Sequence, residues 1–234
     1  MEAIVLAGGF GTRLAARLDG VPKPMATVAG RPFLEILLAQ LRRAGCARVL
    51  FSVGHLHQAI QDHFGVAFRG MEIDYVIEST PLGTGGAIRL ALAQATEEAV
   101  LVLNGDTFLD TGYAGMLRFH AEAGAAATIA VVRQPDIARY GGVVIEGNRI
   151  VGFDEKGRSG AGWINAGAYV LSKGLAWPPR LQEEFSIERD FFVPEVARLR
   201  PAAYKVDGYF LDIGIPEDLD RAQTELARFV ADGC

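Results

Sequence analysis

The chain has 234 residues, of which half are apolar and 22% are charged, and its formal net charge is −5 at neutral pH. A chain of this size and composition can bury a large core as one α/β unit without a second independent domain. The charge is mild and spread along the sequence, which excludes the electrostatic footprint of a protein that binds nucleic acid or an anionic membrane.

The cysteine content and the first residues predict the compartment. Cys46 and Cys234 have neither metal-type nor redox-type spacing. The beginning of the chain lacks the basic segment of an export signal, and its apolar run is far too short to span a bilayer. We therefore expect a cytoplasmic protein with neither a nucleic-acid nor a membrane partner.

In the first part of the chain, short apolar runs alternate with segments of helical periodicity. The runs typical of strands are Ala3–Ala7, Arg48–Val53, Glu72–Ile77, Val100–Asn104 and Ala127–Val132. The segments with helical spacing are Leu34–Leu41, Leu56–Phe64, Ala87–Ala95 and Tyr113–Glu122. This alternation predicts an α/β fold with a Rossmann-like, doubly wound and mostly parallel sheet, in which ligands bind at the carboxyl ends of the strands.

From about residue 135, the pattern predicts antiparallel additions to that sheet. Val143–Glu146 and Arg149–Asp154 flank Gly147-Asn148, which is typical of a hairpin, and Trp163–Val170 predicts another strand. Val206–Tyr209 predicts a second hairpin turn, and Pro216 begins a final helix. We therefore predict a single domain over residues 1–234, with one half at about 1–134 and the other at about 135–234.

The loop after the first strand indicates phosphate binding. Gly8-Gly9-Phe10-Gly11-Thr12-Arg13 follows the strand, and Pro22-Lys23-Pro24 comes after it. Glycines let backbone N–H groups approach phosphate oxygens, Arg13 offers a planar fork of donors, and Lys23 offers a compact charge. A dinucleotide fingerprint would need a glycine in place of Leu14, and a P-loop would need Gly-Lys-Ser/Thr. The loop thus suits a nucleoside triphosphate through neither of those common motifs.

Two aspartates follow short apolar runs and are candidates for a metal site. Asp106 ends the run that begins at Leu101, and Asp212 follows Phe210-Leu211. A carboxylate at a strand end would lie near the glycine loop, where Mg²⁺ bound to a triphosphate needs oxygen ligands. Mg²⁺ takes one or two protein carboxylates and completes its octahedron with water and phosphate oxygens. The sequence therefore predicts Mg²⁺ as cofactor, held by Asp106 and Asp212.

The segment Glu78–Gly86 indicates which base is bound. It follows a strand and leads into a helix, so the amides near Gly83 can face a ligand at the helix start. The Glu78 carboxylate at the base edge would be an acceptor only, which suits a base with two adjacent donors. Guanine presents N1–H and the 2-amino group, whereas uracil and thymine present one N–H between two carbonyls. GTP is therefore the better-matched nucleotide.

These runs together resemble one family. Leu6–Leu14 with Pro22–Pro24 is similar to the L-A-G-G-x-G-T-R-L and P-K-P signature of the sugar-nucleotidyltransferase family. Asn104–Asp106 and Asp212–Gly214 resemble the runs whose aspartates carry magnesium there. Glu78–Gly86 is similar to the E-x-x-P-L-G-T-(A/G)-G run of the guanylyltransferases, with Gly85 where alanine is frequent.

The second half resembles the family's acceptor-binding runs. Phe153–Lys156 and Trp163–Gly167 are similar to the E-K-P and N-x-G runs that bind a sugar 1-phosphate, although Gly157 stands where the family has proline. The resemblance and the residue chemistry imply catalytic roles for Arg13, Lys23 and Asp106. The residues expected to bind nucleotide are Leu6, Ala7, Gly8, Gly9, Gly11, Thr12, Arg13, Lys23, Glu78, Gly83, Thr84 and Asp106. The residues expected to bind the sugar phosphate are Gly141, Glu155, Lys156, Asn165 and Gly167.

The resemblance implies Mg²⁺-dependent transfer of GMP from GTP to a sugar 1-phosphate. The acceptor that the resemblance implies, through the runs Leu82–Ala87, Asn104–Phe108 and Asp207–Gly214, is D-glycero-α-D-manno-heptose 1-phosphate. Alternatives are transfer to mannose 1-phosphate and uridylyl transfer to N-acetylmuramate 1-phosphate. A different class, a regulatory subunit that binds GDP-sugar without catalysis, is also compatible with the pattern, and a homo-oligomer is left open.

Overall fold

The computed structural model describes residues 1–231 except positions 10, 12, 13, 15, 16, 19, 155, 156 and 158. The chain forms two compact units that interleave along the sequence. Unit 1 comprises Met1–Pro81, Leu103–Phe108 and Leu211–Cys234, and unit 2 comprises Leu82–Val102 and Leu109–Phe210. The division of a single domain into two halves near residue 134 stays a prediction.

The strands and helices follow one another in an α/β order. The strands are β1 (Glu2–Leu6), β2 (Thr27–Val28), β3 (Arg31–Pro32), β4 (Arg48–Val53), β5 (Ala67–Phe68), β6 (Met71–Ile77), β7 (Ala99–Asn104), β8 (Thr107–Leu109), β9 (Ala127–Gln134), β10 (Val143–Glu146), β11 (Arg149–Phe153), β12 (Gly162–Ser172), β13 (Ala202–Val206) and β14 (Phe210–Asp212). The α-helices are α1 (Phe33–Arg43), α2 (His57–Phe64), α3 (Gly83–Leu92), α4 (Tyr113–Ala123), α5 (Val193–Leu199), α6 (Pro216–Glu225) and α7 (Ala227–Ala231). A 3₁₀ turn covers Lys23–Met25, and a π-helical segment covers Ile187–Phe192.

Unit 1 is built on a parallel sheet with the order β1-β4-β6-β5. Strand β4 pairs in parallel with both β1 and β6, while the short β5 is antiparallel to β6. The apolar runs of β1 and β4 are buried, as expected for parallel strands covered on both faces. The predicted stripe on α1 is buried as well, because its leucines recur at helical spacing and face the core.

A charged network links three neighbouring strands in unit 1, through the first residues of β1 and β4 and the middle of β6. Arg48 is ion-paired with Glu2, whose side chain is only 2% exposed, and its guanidinium also lies 2.6 Å from the Asp74 carboxylate. These hydrogen bonds raise the pKa of Arg48 against the opposing effect of its burial. A buried carboxylate is stable only where it is paired, so Arg48 is needed to keep Glu2 in place.

Unit 2 is the mixed part of the fold, with the strand order β10-β11-β13-β9-β12 followed by β7. The predicted hairpin is confirmed, since β10 and β11 pair in antiparallel fashion around Gly147-Asn148. Strand β12 is antiparallel to β9, whereas β13 is parallel to β9. The expectation of an α/β fold with parallel strands and antiparallel additions is confirmed.

The second predicted hairpin, at Val206–Tyr209, is wrong. Strand β13 pairs with β9 and β11, while β14 pairs with β8 in a separate two-stranded sheet. The turn is instead shaped by Asp110, whose N–H donates to the Tyr209 carbonyl at 2.8 Å. A Cβ at Gly208 would overlap the Asp110 carbonyl, so glycine is required there for close backbone approach.

The predicted final helix is divided into α6 and α7. Leu219, Ala222 and Leu226 are buried on one face as expected, and the ring of Phe229 packs 4.6 Å from that of Phe108. Leu226 stands between the two helices with its N–H bonded to the Ala222 carbonyl. Among the helices of the described residues, none combines the length and apolarity needed to cross a bilayer.

Candidate active site

The glycine loop in unit 1 begins where β1 ends beside β4. The Ala7 N–H donates to the Ser52 carbonyl at 2.7 Å, which extends the pairing of the two strands into the loop. Gly11 has a left-handed φ of +58°, and a Cβ there would lie 3.1 Å from the Lys23 Cβ. Three members of the predicted loop, Phe10, Thr12 and Arg13, lie outside the described residues.

Lys23 and Asp106 form an ion pair in unit 1. Pro22 and Lys23 begin a tight turn in which the Met25 N–H donates to the Pro22 carbonyl at 2.8 Å. The ammonium of Lys23 contacts Oδ2 of Asp106, and the two side chains are 14% and 28% exposed. Oδ1 of Asp106 accepts from the Thr107 hydroxyl at 3.2 Å. Two of the three residues predicted to be catalytic, Lys23 and Asp106, come from distant motifs and are therefore brought into contact.

Backbone hydrogen bonds bring the two aspartates of the predicted metal site together. The Gly105 N–H donates to the Leu6 carbonyl at 2.9 Å, which fixes Asp106 beside the end of β1. The Ile213 N–H donates to the Asp106 carbonyl, also at 2.9 Å. Oδ1 of Asp212 accepts from the Gly214 N–H at 2.7 Å. The segments carrying Asp106 and Asp212 are thus adjacent in unit 1.

This donor set fits Mg²⁺. Carboxylate oxygens are hard ligands, and two of them match the usual protein share of a magnesium site whose other ligands are water and phosphate. Within the part of the chain that the structure describes, no group of three or more histidine, cysteine or acidic side chains could hold a metal. A cation held by these two carboxylates would need water and phosphate oxygens to complete its coordination.

Glu78 lies at the carboxyl end of β6, against the glycine loop. Its N–H donates to the Val53 carbonyl at 2.8 Å, and Oε1 accepts from the Ser52 hydroxyl at 3.3 Å. A Cβ on Gly8 would lie 2.9 Å from the same Oε1. The predicted base-reading carboxylate is therefore held beside the loop rather than directed away from it.

In unit 2, the predicted Gly83-Thr84 segment begins α3 and is joined to the chain around Phe185. The Gly85 N–H donates to the Phe185 carbonyl at 2.8 Å, and the Ile187 N–H donates to the Thr84 hydroxyl at 3.0 Å. Gly83 has a φ of +64°, and a Cβ there would lie 2.7 Å from the Phe185 carbonyl oxygen. Both Gly83 and Thr84 line a cleft of about 270 Å³ together with Glu184, Phe185, Ser186 and Arg189.

The Phe185 ring explains why glycine occupies position 85. A Cβ on Gly85 would overlap the ring carbons of Phe185, which also packs against Trp177 with a centroid separation of 5.7 Å. Arg89 stacks over the same Phe185 ring, with its guanidinium carbon 5.0 Å from the ring centroid. The departure from alanine at this position therefore follows from the packing of one aromatic side chain.

Asn165 and Gly167 form a bulge in β12. The Gly167 N–H donates to Oδ1 of Asn165 at 2.9 Å, and Gly167 has a φ of +67°, where glycine is favoured. The Asn165 amide group donates to Glu188 at 2.6 Å and to the Tyr169 hydroxyl at 2.9 Å. The bulge therefore directs the predicted sugar-binding amide toward a carboxylate.

Of the other predicted acceptor residues, the structure describes Gly141. Glu155 and Lys156 lie outside the described residues. The Gly141 N–H donates to the Ile137 carbonyl at 3.0 Å, so in this structure it closes a turn. Its contact with a sugar phosphate stays a prediction.

Sequence reasoning missed two polar residues of these clusters. Ser52 is a fully buried hydroxyl that interrupts the apolar run Val49–Val53, and that interruption was a signal. Glu188 lies two residues after the N-cap Ser186, whose hydroxyl accepts from the Arg189 N–H at 3.2 Å. Asp190 completes this turn, and its hydrogen bonds from Arg189 and Ser186 hold the pKa of its carboxyl below the usual value.

Comparison with known proteins identifies the family. The nucleotidyl transferase family model matches residues 2–228. The chain is 39% identical over 230 residues to D-glycero-alpha-D-manno-heptose 1-phosphate guanylyltransferase of Aneurinibacillus thermoaerophilus, covering 98% of this chain and 100% of that protein. It is 34% identical to mannose-1-phosphate guanylyltransferase of Mycobacterium tuberculosis, covering 99% of this chain and 66% of that protein.

Solved structures agree with this result. The crystal structure of HddC from Yersinia pseudotuberculosis matches with a TM-score of 0.84 and 34% identity, over 96% of this chain and 99% of that one. HddC complexed with GMP-PN matches with a TM-score of 0.82 and the same identity. The predicted resemblance to the sugar-nucleotidyltransferases and the predicted enzyme class are confirmed. The chain belongs to the nucleotidyl transferase family.

Proposed function

We propose that this nucleotidyltransferase transfers GMP from GTP to a sugar 1-phosphate, with Mg²⁺ as cofactor. The single observation that carries the proposal is the cluster in unit 1, where Lys23 contacts Asp106 and Glu78 lies against Gly8. It combines a phosphate-binding cation, a carboxylate for a metal and a carboxylate for a base. The relatives named guanylyltransferases support the choice of nucleotide.

The reaction is an in-line exchange at phosphorus. A phosphate oxygen of the sugar 1-phosphate bonds to the α-phosphorus of GTP, and the bond from that phosphorus to the bridging oxygen of pyrophosphate breaks. The leaving pyrophosphate takes the electron pair. Because a phosphate monoester has a second pKa near ~6, the acceptor is largely dianionic at neutral pH and needs no general base.

Positioning and charge compensation are therefore the tasks of the protein. The Lys23 ammonium would compensate charge that develops on the phosphate oxygens, and Arg13 would add a bidentate contact. Asp106 and Asp212 would hold Mg²⁺, which when bound draws negative charge from the triphosphate. The close approach of Gly105 to the Leu6 carbonyl supports this role, since it fixes Asp106 at the end of β1.

Guanine selection would come from Glu78. An ionised carboxylate accepts hydrogen bonds and donates none, so it pairs with the N1–H and 2-amino groups of guanine and repels the carbonyls of uracil. Its position against Gly8 supports this role over that of a solvated side chain.

The acceptor we propose is D-glycero-α-D-manno-heptose 1-phosphate. Support comes from the heptose 1-phosphate guanylyltransferases of Aneurinibacillus thermoaerophilus and Campylobacter jejuni, each 39% identical to this chain. Mannose 1-phosphate is the second candidate, favoured by the relative from Mycobacterium tuberculosis. The two sugars differ by an extension at C6, which the Asn165, Tyr169 and Glu188 cluster would have to accommodate.

The test is a matrix of substrates without any partner protein. GTP, UTP, ATP, CTP and dTTP are each paired with the 1-phosphates of heptose, mannose, glucose and N-acetylmuramate, and the nucleotide-sugar product is identified by mass spectrometry. Product from GTP with heptose 1-phosphate supports the proposal. Product from a different pair would show that the proposed substrates are wrong. If no pair gave product, a non-catalytic regulator that binds GDP-sugar would be favoured.

A further inference from the structure

Ser52 is a buried hydroxyl with a direct contact to the base-reading carboxylate. It is the fifth residue of β4 and is fully buried. Its hydroxyl donates to Oε1 of Glu78 at 3.3 Å. A polar group in such an environment is costly unless it is hydrogen-bonded, so the contact constrains both partners.

Gly8 constrains the same carboxylate from the other side. It has none of the positive φ that favours glycine, so its backbone conformation would accept a side chain. The space is nevertheless taken, because a Cβ on Gly8 would lie 2.9 Å from Oε1 of Glu78 and 3.1 Å from the Gly54 nitrogen. Glycine is therefore needed here to leave room for the carboxylate.

We propose that Ser52 is a positioning residue for Glu78 and that the Ser52 hydroxyl and the bare backbone of Gly8 together set the selectivity for guanine. This inference rests on the proposed function. A carboxylate can accept about four hydrogen bonds, so the Ser52 contact on Oε1 leaves capacity for two guanine donors. Its effect is to fix the plane in which that pair of bonds is offered.

The inference is tested by nucleotide selectivity. The ratio of kcat/KM for GTP to that for ITP, which lacks the 2-amino group, is measured with one fixed sugar 1-phosphate. Loss of one hydrogen bond to a charged group makes the expected ratio in the unaltered protein about tenfold or more. The variants are Ser52→Ala, Glu78→Gln and the double substitution, with Ser79→Ala as an exposed control next to Glu78. Misfolding reduces both rates equally and cancels in the ratio.

We expect Ser52→Ala to lower the GTP to ITP ratio about three- to tenfold and to leave the KM of the sugar 1-phosphate unchanged. Ser79→Ala should keep the full ratio. In the Glu78→Gln background, where the ratio is already near unity, Ser52→Ala should change it less than about twofold, since coupled residues are non-additive. Gly8→Ala should also lower the ratio.

Two results overturn the inference while leaving the proposed function intact. One is an unchanged ratio in Ser52→Ala, and the other is a ratio that falls equally with and without Glu78. A protein that makes product with GTP and ITP at equal rates would instead refute guanine reading by Glu78. A protein that forms no nucleotide sugar at all would refute the proposed function itself.

Discussion

Replacing Lys23 by methionine separates two roles of one ammonium group. In the structure this group pairs with Asp106, and both side chains are partly buried at 14% and 28% exposure. At an effective dielectric constant of about 20, two charges about 4 Å apart interact by roughly 4 kcal/mol before desolvation is counted. In the proposed function, Lys23 would be both a compensating charge for phosphate and a competitor for the carboxylate that would hold Mg²⁺.

The two roles predict that Lys23→Met has slower turnover but tighter binding of a divalent cation. Removing one preorganised charge from a phosphoryl-transfer site costs about 2.7–4 kcal/mol, so kcat should fall about 10²–10³-fold. Removing the competitor of Asp106 should strengthen binding of Mn²⁺, used as a spectroscopic probe, about three- to tenfold in the absence of nucleotide. Steady-state kinetics measures the first effect, and electron paramagnetic resonance titration measures the second.

Lys173→Met is the matched control, because it removes the same charge from an exposed turn after β12. It should leave kcat and Mn²⁺ binding unchanged. If Lys23→Met kept turnover within about threefold of the unaltered protein, charge compensation by Lys23 would be refuted. If turnover fell while Mn²⁺ binding weakened, the ion pair would instead be organising the metal ligand.

Three further predictions concern stability. Arg48→Met should cost about 3–5 kcal/mol of stability, because Glu2 is left as a buried charge without this partner, and should lower Tm by about 6–20 °C. Adding Glu2→Gln to this variant should recover most of the lost stability. An unaffected Tm in Arg48→Met would contradict the prediction. Burial lowers the pKa of His120, so the unfolded chain binds more protons and stability should be lost as pH falls below about 6.5. The Tm of the unaltered protein should therefore drop more between pH 7.5 and pH 5 than the Tm of His120→Gln. Equal changes of Tm with pH in the two proteins would argue against this role of His120. Gly85→Ala should lower the free energy of unfolding in urea by up to about 2 kcal/mol despite the better helix propensity of alanine, because the new Cβ would overlap the Phe185 ring. When Gly85→Ala is combined with Phe185→Leu, the total loss should be smaller than the sum of the two single losses. Full additivity would rule out that contact.

The strands and helices of unit 1 could be predicted because their patterns are local. The mostly apolar run of β4 predicted its observed bounds, Arg48–Val53, and the leucine spacing of α1 predicted its buried face. The turn at Gly147-Asn148 was also predictable, since it depends on two adjacent residues. The turn at Val206–Tyr209 was not, because β14 pairs with β8 instead of with its neighbour in the chain.

The site residues could be predicted as residue types but their contacts could not. Lys23 and Asp106 were chosen from separate motifs, and nothing local in either motif indicates that they form an ion pair. Gly8 was expected to let backbone N–H groups reach phosphate, yet in the structure its missing side chain makes room for Glu78. Such requirements come from tertiary packing, which a single sequence does not encode at any one position.

In the proposed reaction, an oxygen of the sugar 1-phosphate attacks the α-phosphorus of GTP. This attack can be followed directly with heptose 1-phosphate labelled with oxygen-18 at its non-bridging phosphate oxygens, by mass spectrometry of both products. All of the label should be found in GDP-heptose, including the new bridging position, and pyrophosphate should be unlabelled and formed in equal amount. Label in pyrophosphate, or pyrophosphate formed without the sugar 1-phosphate, would contradict it.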